Sequence, residues 1–402
     1  MATNNNDKTL NVPPLRFPEF SGEWEEEQLD SIATLSKGIG ISKEQLSEDG
    51  EPCILYGELY TKYKSEIIKQ VESKTDIDCS KLKRSKANDV IIPCSGETAV
   101  DIATARCVPF DNILLGGDLN IISLHKYDGA FMSYQLNGKR KYDIARVAQG
   151  VSVVHLYGEH LKAIKTYNPS LPEQQKIAKL LSLIDERIAT QNKIIEKLQS
   201  LIKGLSQQLL SSENDWILYR LDDLAQIKSG YSGIQVSYQT PYKVSRIETI
   251  SKHCIDIQRI GYVEFIPESY KLNVGNILFS NINSVQYIGN TAYLDKDYGL
   301  YHGMNLLRII PNTTIVRPRF LHLLLCTDWA INHFQTICNK AVSQASINQT
   351  ALGKSRYPIP PMSVQQQICS MFELTERKLG NEQVYISCLQ QQKRYLLQEM
   401  FI

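Results

Sequence analysis

Residues 171–210 read LPEQQKIAKLLSLIDERIATQNKIIEKLQSLIKGLSQQLL, and residues 362–401 read MSVQQQICSMFELTERKLGNEQVYISCLQQQKRYLLQEMF. Laid over each other at an offset of 191, nine of the 40 positions are identical, among them Gln174/Gln365, Gln175/Gln366, Ile177/Ile368, Leu198/Leu389 and Gln199/Gln390. In the first run Ile177, Leu181, Ile184, Ile188, Gln191, Ile195, Leu198, Ile202, Leu205 and Leu209 recur at four-three spacing, which gathers them on one stripe of a helix. The second run repeats the stripe as Ile368, Phe372, Thr375, Leu379, Glu382, Ile386, Leu389, Lys393, Leu396 and Met400, with three polar breaks. No proline interrupts the stripes, and Asn168-Pro169-Ser170-Leu171-Pro172 and Pro358-Ile359-Pro360-Pro361 precede them as stops. The spacing predicts two helices of about 38 residues, each about 57 Å long, paired along their seams as an antiparallel coiled coil. Two separate amphipathic helices, each lying on its own globular part, are the alternative. Gln191 and Glu382 put a polar residue at the same seam position, as a register-fixing device would.

Working outward, Trp24 to Gly38 (WEEEQLDSIATLSKG) aligns without gaps on Trp216 to Gly230 (WILYRLDDLAQIKSG), sharing Trp24/Trp216, Leu29/Leu221, Asp30/Asp222, Ala33/Ala225 and Gly38/Gly230. Val151-Ser152 likewise matches Val342-Ser343. The chain is a tandem duplication of one unit of about 190 residues, close to the size of one domain. The boundaries that follow are a globular segment at 14–168, the central helix at 169–213, a second globular segment at 214–360 and the C-terminal helix at 361–402. Both globular segments mix short strands, such as Asp89-Val-Ile-Ile-Pro93, with helical stretches around Arg319 to Ile331, so the fold class is α+β. Between their shared ends the two segments differ greatly, as two recognition heads of different specificity would.

Composition excludes several classes. The 402 residues carry 44 Lys+Arg against 43 Asp+Glu, a net +1, which argues against a histone-like basic protein while leaving room for local basic grooves. Nine cysteines without a CxxC pair support neither a disulfide framework nor a zinc ribbon, and read as reduced thiols. The start, MATNNNDKTL, has no signal-peptide pattern, and no apolar run approaches a membrane span, so a cytoplasmic protein without membrane association is expected.

Apparent catalytic motifs fail. Gly353-Lys354-Ser355 resembles the end of a phosphate loop, but Asn348 stands where its first glycine belongs. His155 and His160, five apart, would not share a helix face for a metal. Tyr167-Asn-Pro-Ser170 lacks the second proline and the aromatic residue of an adenine-methyltransferase grip, and no dinucleotide fingerprint would hold a methyl donor. The chain is expected to be non-catalytic, with no metal and no cofactor of its own.

Candidate DNA contacts are the basic runs containing Lys83, Arg84 and Lys86, and Lys139, Arg140 and Lys141, which suit phosphates. In the second copy Lys243 and Arg246, with the loop residues Asn281, Asn283, Gln286 and Tyr287, add side chains that suit base edges. Ser152 and Ser343 complete the set through the repeated Val-Ser element.

Together the repeats and elements resemble the specificity subunit of type I restriction-modification systems over nearly the whole chain. The residues that carry the resemblance are Phe17-Pro-Glu-Phe-Ser-Gly-Glu-Trp24, Gln149-Gly-Val-Ser152, Leu171-Pro-Glu-Gln-Gln-Lys-Ile-Ala178 and Leu183-Ile-Asp-Glu-Arg187. In the second copy Ala341-Val-Ser343 and Val364-Gln-Gln-Gln-Ile368 keep the frame but lose the Gly and the Pro-Glu. The resemblance implies two mixed α/β target recognition domains, 14–168 and 214–360, related by a pseudo-twofold and joined by the paired helices. It implies double-stranded DNA as ligand, two methyltransferase subunits docked on the helices, and restriction/translocase subunits that join for cleavage. S-adenosylmethionine, ATP and Mg would belong to those partners. A helical-hairpin scaffold that assembles partners without reading DNA is the alternative from another class.

Overall fold

The computed structural model describes residues 10–211, 216–251, 253–340 and 344–402. The chain is α+β and divides into two compact units, Met1–Lys193 with Gln383–Ile402, and Ile194–Glu382. Two long helices are shared between them, the central helix Leu171–Leu209 of 39 residues and the C-terminal helix Met362–Glu399 of 38.

Unit 1 contains the strands β1 (Glu25–Gln28), β2 (Ala33–Lys37), β3 (Asp89–Pro93), β4 (Arg106–Val108), β5 (Leu119–Leu124) and β6 (Lys165–Asn168). Unit 2 contains β7 (Ile217–Arg220), β8 (Ala225–Ser229), β9 (Ile277–Phe279), β10 (Thr291–Tyr293), β11 (Leu307–Pro311) and β12 (Arg356–Ile359). In unit 1, β1 pairs antiparallel with β6, Glu25 opposite Asn168, and in unit 2 β7 pairs with β12, Ile217 opposite Ile359. The main sheets run β2-β5-β3-β4 and β8-β11-β9-β10, all antiparallel, so each has the order first-fourth-second-third. Their central strands are built from β-branched and aliphatic residues, as in Asp89-Val-Ile-Ile-Pro93, because both faces are covered.

An accessory sheet repeats as well. In unit 1 it runs Leu46–Ser47, Lys74–Thr75, Glu51–Ile54, Leu114–Leu115, with Lys83–Arg84 added at the edge. In unit 2 it runs Gln235–Val236, Gly261–Val263, Tyr242–Val244, Leu300–Tyr301. Each is first-third-second-fourth in chain order, and in each the second and fourth strands are parallel. Two segments whose sequences have diverged therefore keep one strand order, which periodicity does not reveal.

The repeated glycines mark a close approach. A Cβ on Gly38 would lie 1.9 Å from the carbonyl oxygen of Gly116, and one on Gly230 would lie 1.8 Å from that of Gly303. No side chain fits where β2 and β8 hand the chain to the accessory sheets.

The helices pack antiparallel within each unit. In unit 1 the early central-helix residues Ile177, Leu181 and Ile184 share a buried cluster with Leu396 near the end of the C-terminal helix and with Met400 and Phe401 just beyond it. Trp24, Phe131 and Phe401 meet there with ring centroids 5.2–6.4 Å apart, each buried ring contributing about 2–3 kcal/mol. In unit 2 Ile202, Leu205 and Leu209 pack on the cluster holding Ile368, Cys369 and Phe372. Ile188, Ile195 and Leu198 on one helix and Leu379 and Ile386 on the other are half-buried, and Leu389 is buried.

The repeated glutamine explains itself. Gln174 donates to the Pro169 carbonyl at 2.8 Å and accepts from the Asp128 amide at 2.9 Å; Gln365 donates to the Pro360 carbonyl at 2.9 Å and accepts from the Arg317 amide at 2.8 Å. Asp128 and Arg317 cap the helices Gly129–Asn137 and Pro318–Leu325. Each buried amide thus latches the start of a long helix to the first turn of a head helix.

Candidate nucleic-acid interface

Each unit contains a narrow ribbon of short paired strands. In unit 1 the Gln149 and His155 backbones exchange two hydrogen bonds of 2.9 and 2.7 Å, and Val154-His155 pairs with Gly96-Ser95 on the other side. The hairpin between Gln149 and His155 carries Ser152 at its exposed tip, where Val151 is 98% accessible. Gly150 sits at φ +124°, and a Cβ there would fall 2.1 Å from the Val153 carbonyl oxygen, so the tip conformation requires glycine. In unit 2 Ala345-Ser346 pairs with Ile282-Asn283 on one side and with Asn339-Lys340 on the other. Ser343 lies outside the described residues.

The loop from Asn281 to Asn290 leaves this second ribbon. The Asn281 side chain donates to the Ile347 carbonyl at 3.5 Å, and Asn283 donates to Ser280 Oγ at 3.2 Å while accepting from the Ser284 amide at 2.8 Å. These two asparagines therefore shape the loop, whereas Gln286 and Tyr287 present their side chains to solvent. Ser152 and the Asn281 loop thus occupy corresponding ribbons in the two units.

The basic candidates lie on other elements. Lys83 and Arg84 form the edge strand of the first accessory sheet, and Arg84 holds both carboxylate oxygens of Glu51 at 2.5 and 2.9 Å. Lys86 follows, exposed. Lys139 and Arg140 lie in the turn between Gly129–Asn137 and Lys141–Val147, and Lys141 opens the second helix. Arg140 is committed there, donating to the Ile402 carbonyl at 2.8 Å, pairing with Asp143 at 3.2 Å and lying 5.2 Å above the Tyr167 ring. Lys243 is exposed on the second accessory sheet, and Arg246 next to it pairs with Glu248 at 3.4 Å.

Other chemistry is accounted for by packing. Gly353 is small because a Cβ would lie 1.9 Å from Asp222 Oδ1, a carboxylate that would repel phosphate. His155 belongs to a strand and His160 to the helix Gly158–Lys162, with the Tyr157 ring touching both. Burial pushes the thiols of Cys53, Cys94 and Cys369 up to about 11 and those of Cys107 and Cys326 up to about 12, which keeps them protonated at neutral pH. Among the described residues no group of three or more His, Cys, Asp or Glu side chains is placed to hold a metal, and no helix is long and apolar enough to cross a membrane.

Two features escaped the reading of the sequence. Lys393 looked like a break in the seam, yet its ammonium lies 2.5 Å from Glu66 Oε2 and 2.6 Å from Asp185 Oδ1, nearly buried among them. Only the repeat offset, which pairs Lys393 with Ile202, marked it as different. Val151 passed as a framework residue because nothing in a short Gly-Val-Ser run announces a protruding tip.

Known proteins supply the context. A family model described as the type I restriction modification DNA specificity domain matches the chain twice, over residues 21–200 and 213–385. A putative type I restriction enzyme MjaX specificity subunit from Methanocaldococcus jannaschii is 38% identical over 193 residues, 46% of this chain and 45% of that protein, so the chain spans less than half the length of this relative. The type I restriction enzyme MjaVIII specificity subunit of the same organism is 24% identical over 314 residues, 69% of this chain and 70% of that one. Among solved structures, the S subunit of a type I restriction-modification system from M. genitalium matches with TM-score 0.63 at 17% identity, covering 97% of this chain and 99% of that one. A chain from work on complex assembly and conformational transition of the type I R-M system matches with TM-score 0.58 at 14% identity, covering 96% and 99%. At these identities the structural likeness is one of fold.

Proposed function

The chain belongs to the type I restriction modification DNA specificity family, and from that premise we propose that its two heads read the two halves of one bipartite, asymmetric DNA site. The observation that carries this reading is the recurrence of one strand order in both units under different surface residues. A single fold presenting two different sets of side chains is what two half-sites of different sequence require.

Phosphate contacts fall to half-buried Lys83 and to exposed Lys86 and Lys243, and base edges to Gln286 and Tyr287 on the loop beside the second ribbon. The central helix acts as the spacer between half-sites, since inserted residues would both shift and rotate one head. The exposed flanks of the long helices receive two methyltransferase subunits, which bind S-adenosylmethionine and methylate adenine. Restriction/translocase subunits with ATP and Mg complete the complex, and this chain contributes recognition without chemistry of its own.

Methylome sequencing of the host with and without the gene tests this directly. The expected result is a bipartite adenine-methylated motif that disappears with the gene. Unchanged methylation would overturn the reading, as would equal binding of the purified chain with its methyltransferase to the motif and to scrambled DNA, which is what a scaffold would do. An insertion of about four residues after Ile195, close to one helical turn, should change the spacer and leave the half-sites alone.

A further inference from the structure

The ribbon of unit 1 keeps the strand pairing of its counterpart in unit 2 but carries side chains of its own. Its hairpin, Gln149 to His155, belongs to the framework that both units repeat, down to the Val-Ser pair and the bridged strands. Residues common to two heads cannot by themselves distinguish two half-sites. Every duplex, however, presents the same sugars and phosphates.

The foot of the hairpin has the chemistry for them. Lys37, at the end of β2, holds its ammonium 5.7 Å above the Tyr157 ring, and the His155 ring stacks on the same tyrosine at 6.2 Å with 26° between the planes. Lys37 and His155 are exposed, and Tyr157 is 43% accessible. Among the described residues no carboxylate pairs with Lys37, whereas Arg84, Arg140 and Lys162 all have acidic partners. Asp118, close by, accepts from Ser95 Oγ at 3.2 Å. An unpaired cation fixed on an aromatic ring beside a hydrogen-bonding imidazole is a site for an anion. The tip above it, locked by Gly150, carries the fully exposed Val151, an apolar surface for a sugar edge.

Resting on the DNA-recognition reading above, we infer that this ribbon is a clamp on the duplex sugar-phosphate backbone that binds without regard to sequence, with Lys37 and His155 on phosphate and Val151 seated in the groove. Base reading is then left to other side chains of the heads. Ser229 and Ser346 stand at the unit 2 positions matching Lys37 and His155, so the charge of the clamp belongs to unit 1 alone.

Salt dependence separates a backbone contact from a base contact. The complex of this chain with its methyltransferase subunits is titrated onto a duplex bearing the motif that methylome mapping returns and onto a scrambled duplex, across a range of salt. Lys37→Ala should lower the slope of log K against log salt by about 1, and weaken both duplexes by the same factor. Lys37→Arg should restore both, and the melting temperature of Lys37→Ala should match wild type, since the side chain is exposed. An unchanged slope with motif preference intact overturns the clamp alone, and so does a change in the preferred bases of a half-site. A wild-type complex with no preference between the duplexes removes the recognition reading and the clamp with it.

Discussion

The two units join their heads to the long helices by different physics. In unit 1 the joint is charged: Lys393 reaches from the C-terminal helix to Asp185 on the central helix and to Glu66 in the head, and Asp185 also accepts from Tyr134 at 2.7 Å and Ser65 at 3.0 Å. In unit 2 Ile202 stands at the position of Lys393, and one hydrocarbon cluster runs from the helices through Phe372 and Phe320 into the sheet without a polar break. Glu376, at the position of Asp185, pairs with Arg319 at the margin of that cluster. Unit 1 accordingly has separate clusters, with the network between the seam and the sheet. The same backbone frame tolerates either solution, but a charged joint is directional and depends on every member.

The largest effect should therefore come from making unit 1 resemble unit 2 at one position. Lys393→Ile removes the cation that bridges two nearly buried carboxylates, and should cost about 3–5 kcal/mol. Hydrogen exchange should show the loss in unit 1 and not in unit 2. Replacing the group as a whole, Lys393→Ile with Asp185→Leu and Glu66→Leu, should recover most of the loss, and a triple variant as unstable as the single one would break the comparison.

Acidity sharpens the same contrast. Burial, opposed by Lys393 and assisted by Asp185, holds the Glu66 carboxyl above its ordinary value. The folded chain therefore binds that proton more tightly than the unfolded chain, and the Glu66 contribution to stability falls as pH rises through the raised value. Without Lys393 the charged form has lost its partner, so the cost of Lys393→Ile should be smaller at pH 5 than at pH 8. Urea midpoints of wild type and variant at the two pH values measure this, and an equal gap at both would mean that Glu66 does not titrate within the network.

What the units share should respond alike. Gln174→Leu and Gln365→Leu each strand a buried carbonyl and a helix-capping amide, and each should cost about 2 kcal/mol. A large difference between them would show that one latch is carried by other contacts. Arg16 is the natural suspect, because it holds Glu173 through two bonds of 2.7 and 2.8 Å next to the first latch, where unit 2 has Val364.

The parts legible in the sequence were those fixed by local pattern. Four-three spacing gave the long helices, and the repeat gave the duplication, with Gln174/Gln365 and Gly38/Gly230 standing out before their bonds and close approaches were known. The accessory sheets were not legible, because strands of two to four residues, such as Leu114–Leu115 or Tyr242–Val244, are too short for a period to register. Nor was the network around Lys393, whose partners lie 208 and 327 positions away and meet only in the folded chain. Among the candidate contacts, charge was legible but its employment was not: Arg140 and Arg84 read like Lys243 in the sequence, yet each has carboxylate or carbonyl partners in the fold.

That last distinction yields the smallest expected effect. Arg84 and Glu51 form an exposed pair, and such pairs contribute little in water, so Arg84→Ala should leave the melting temperature within error of wild type. Lys243→Ala should do the same, since the side chain is exposed on the other accessory sheet. Their effects on DNA should nevertheless differ. Arg84 must leave Glu51 to meet a phosphate, and its removal also leaves Glu51 unopposed at the same edge, whereas Lys243 has no carboxylate to leave among the described residues. Glu51→Gln should thus strengthen DNA binding by the complex while Arg84→Ala weakens it. If both substitutions leave affinity and its salt slope untouched, the edge strand Lys83–Arg84 does not face DNA, and the backbone contacts of unit 1 lie elsewhere on its surface.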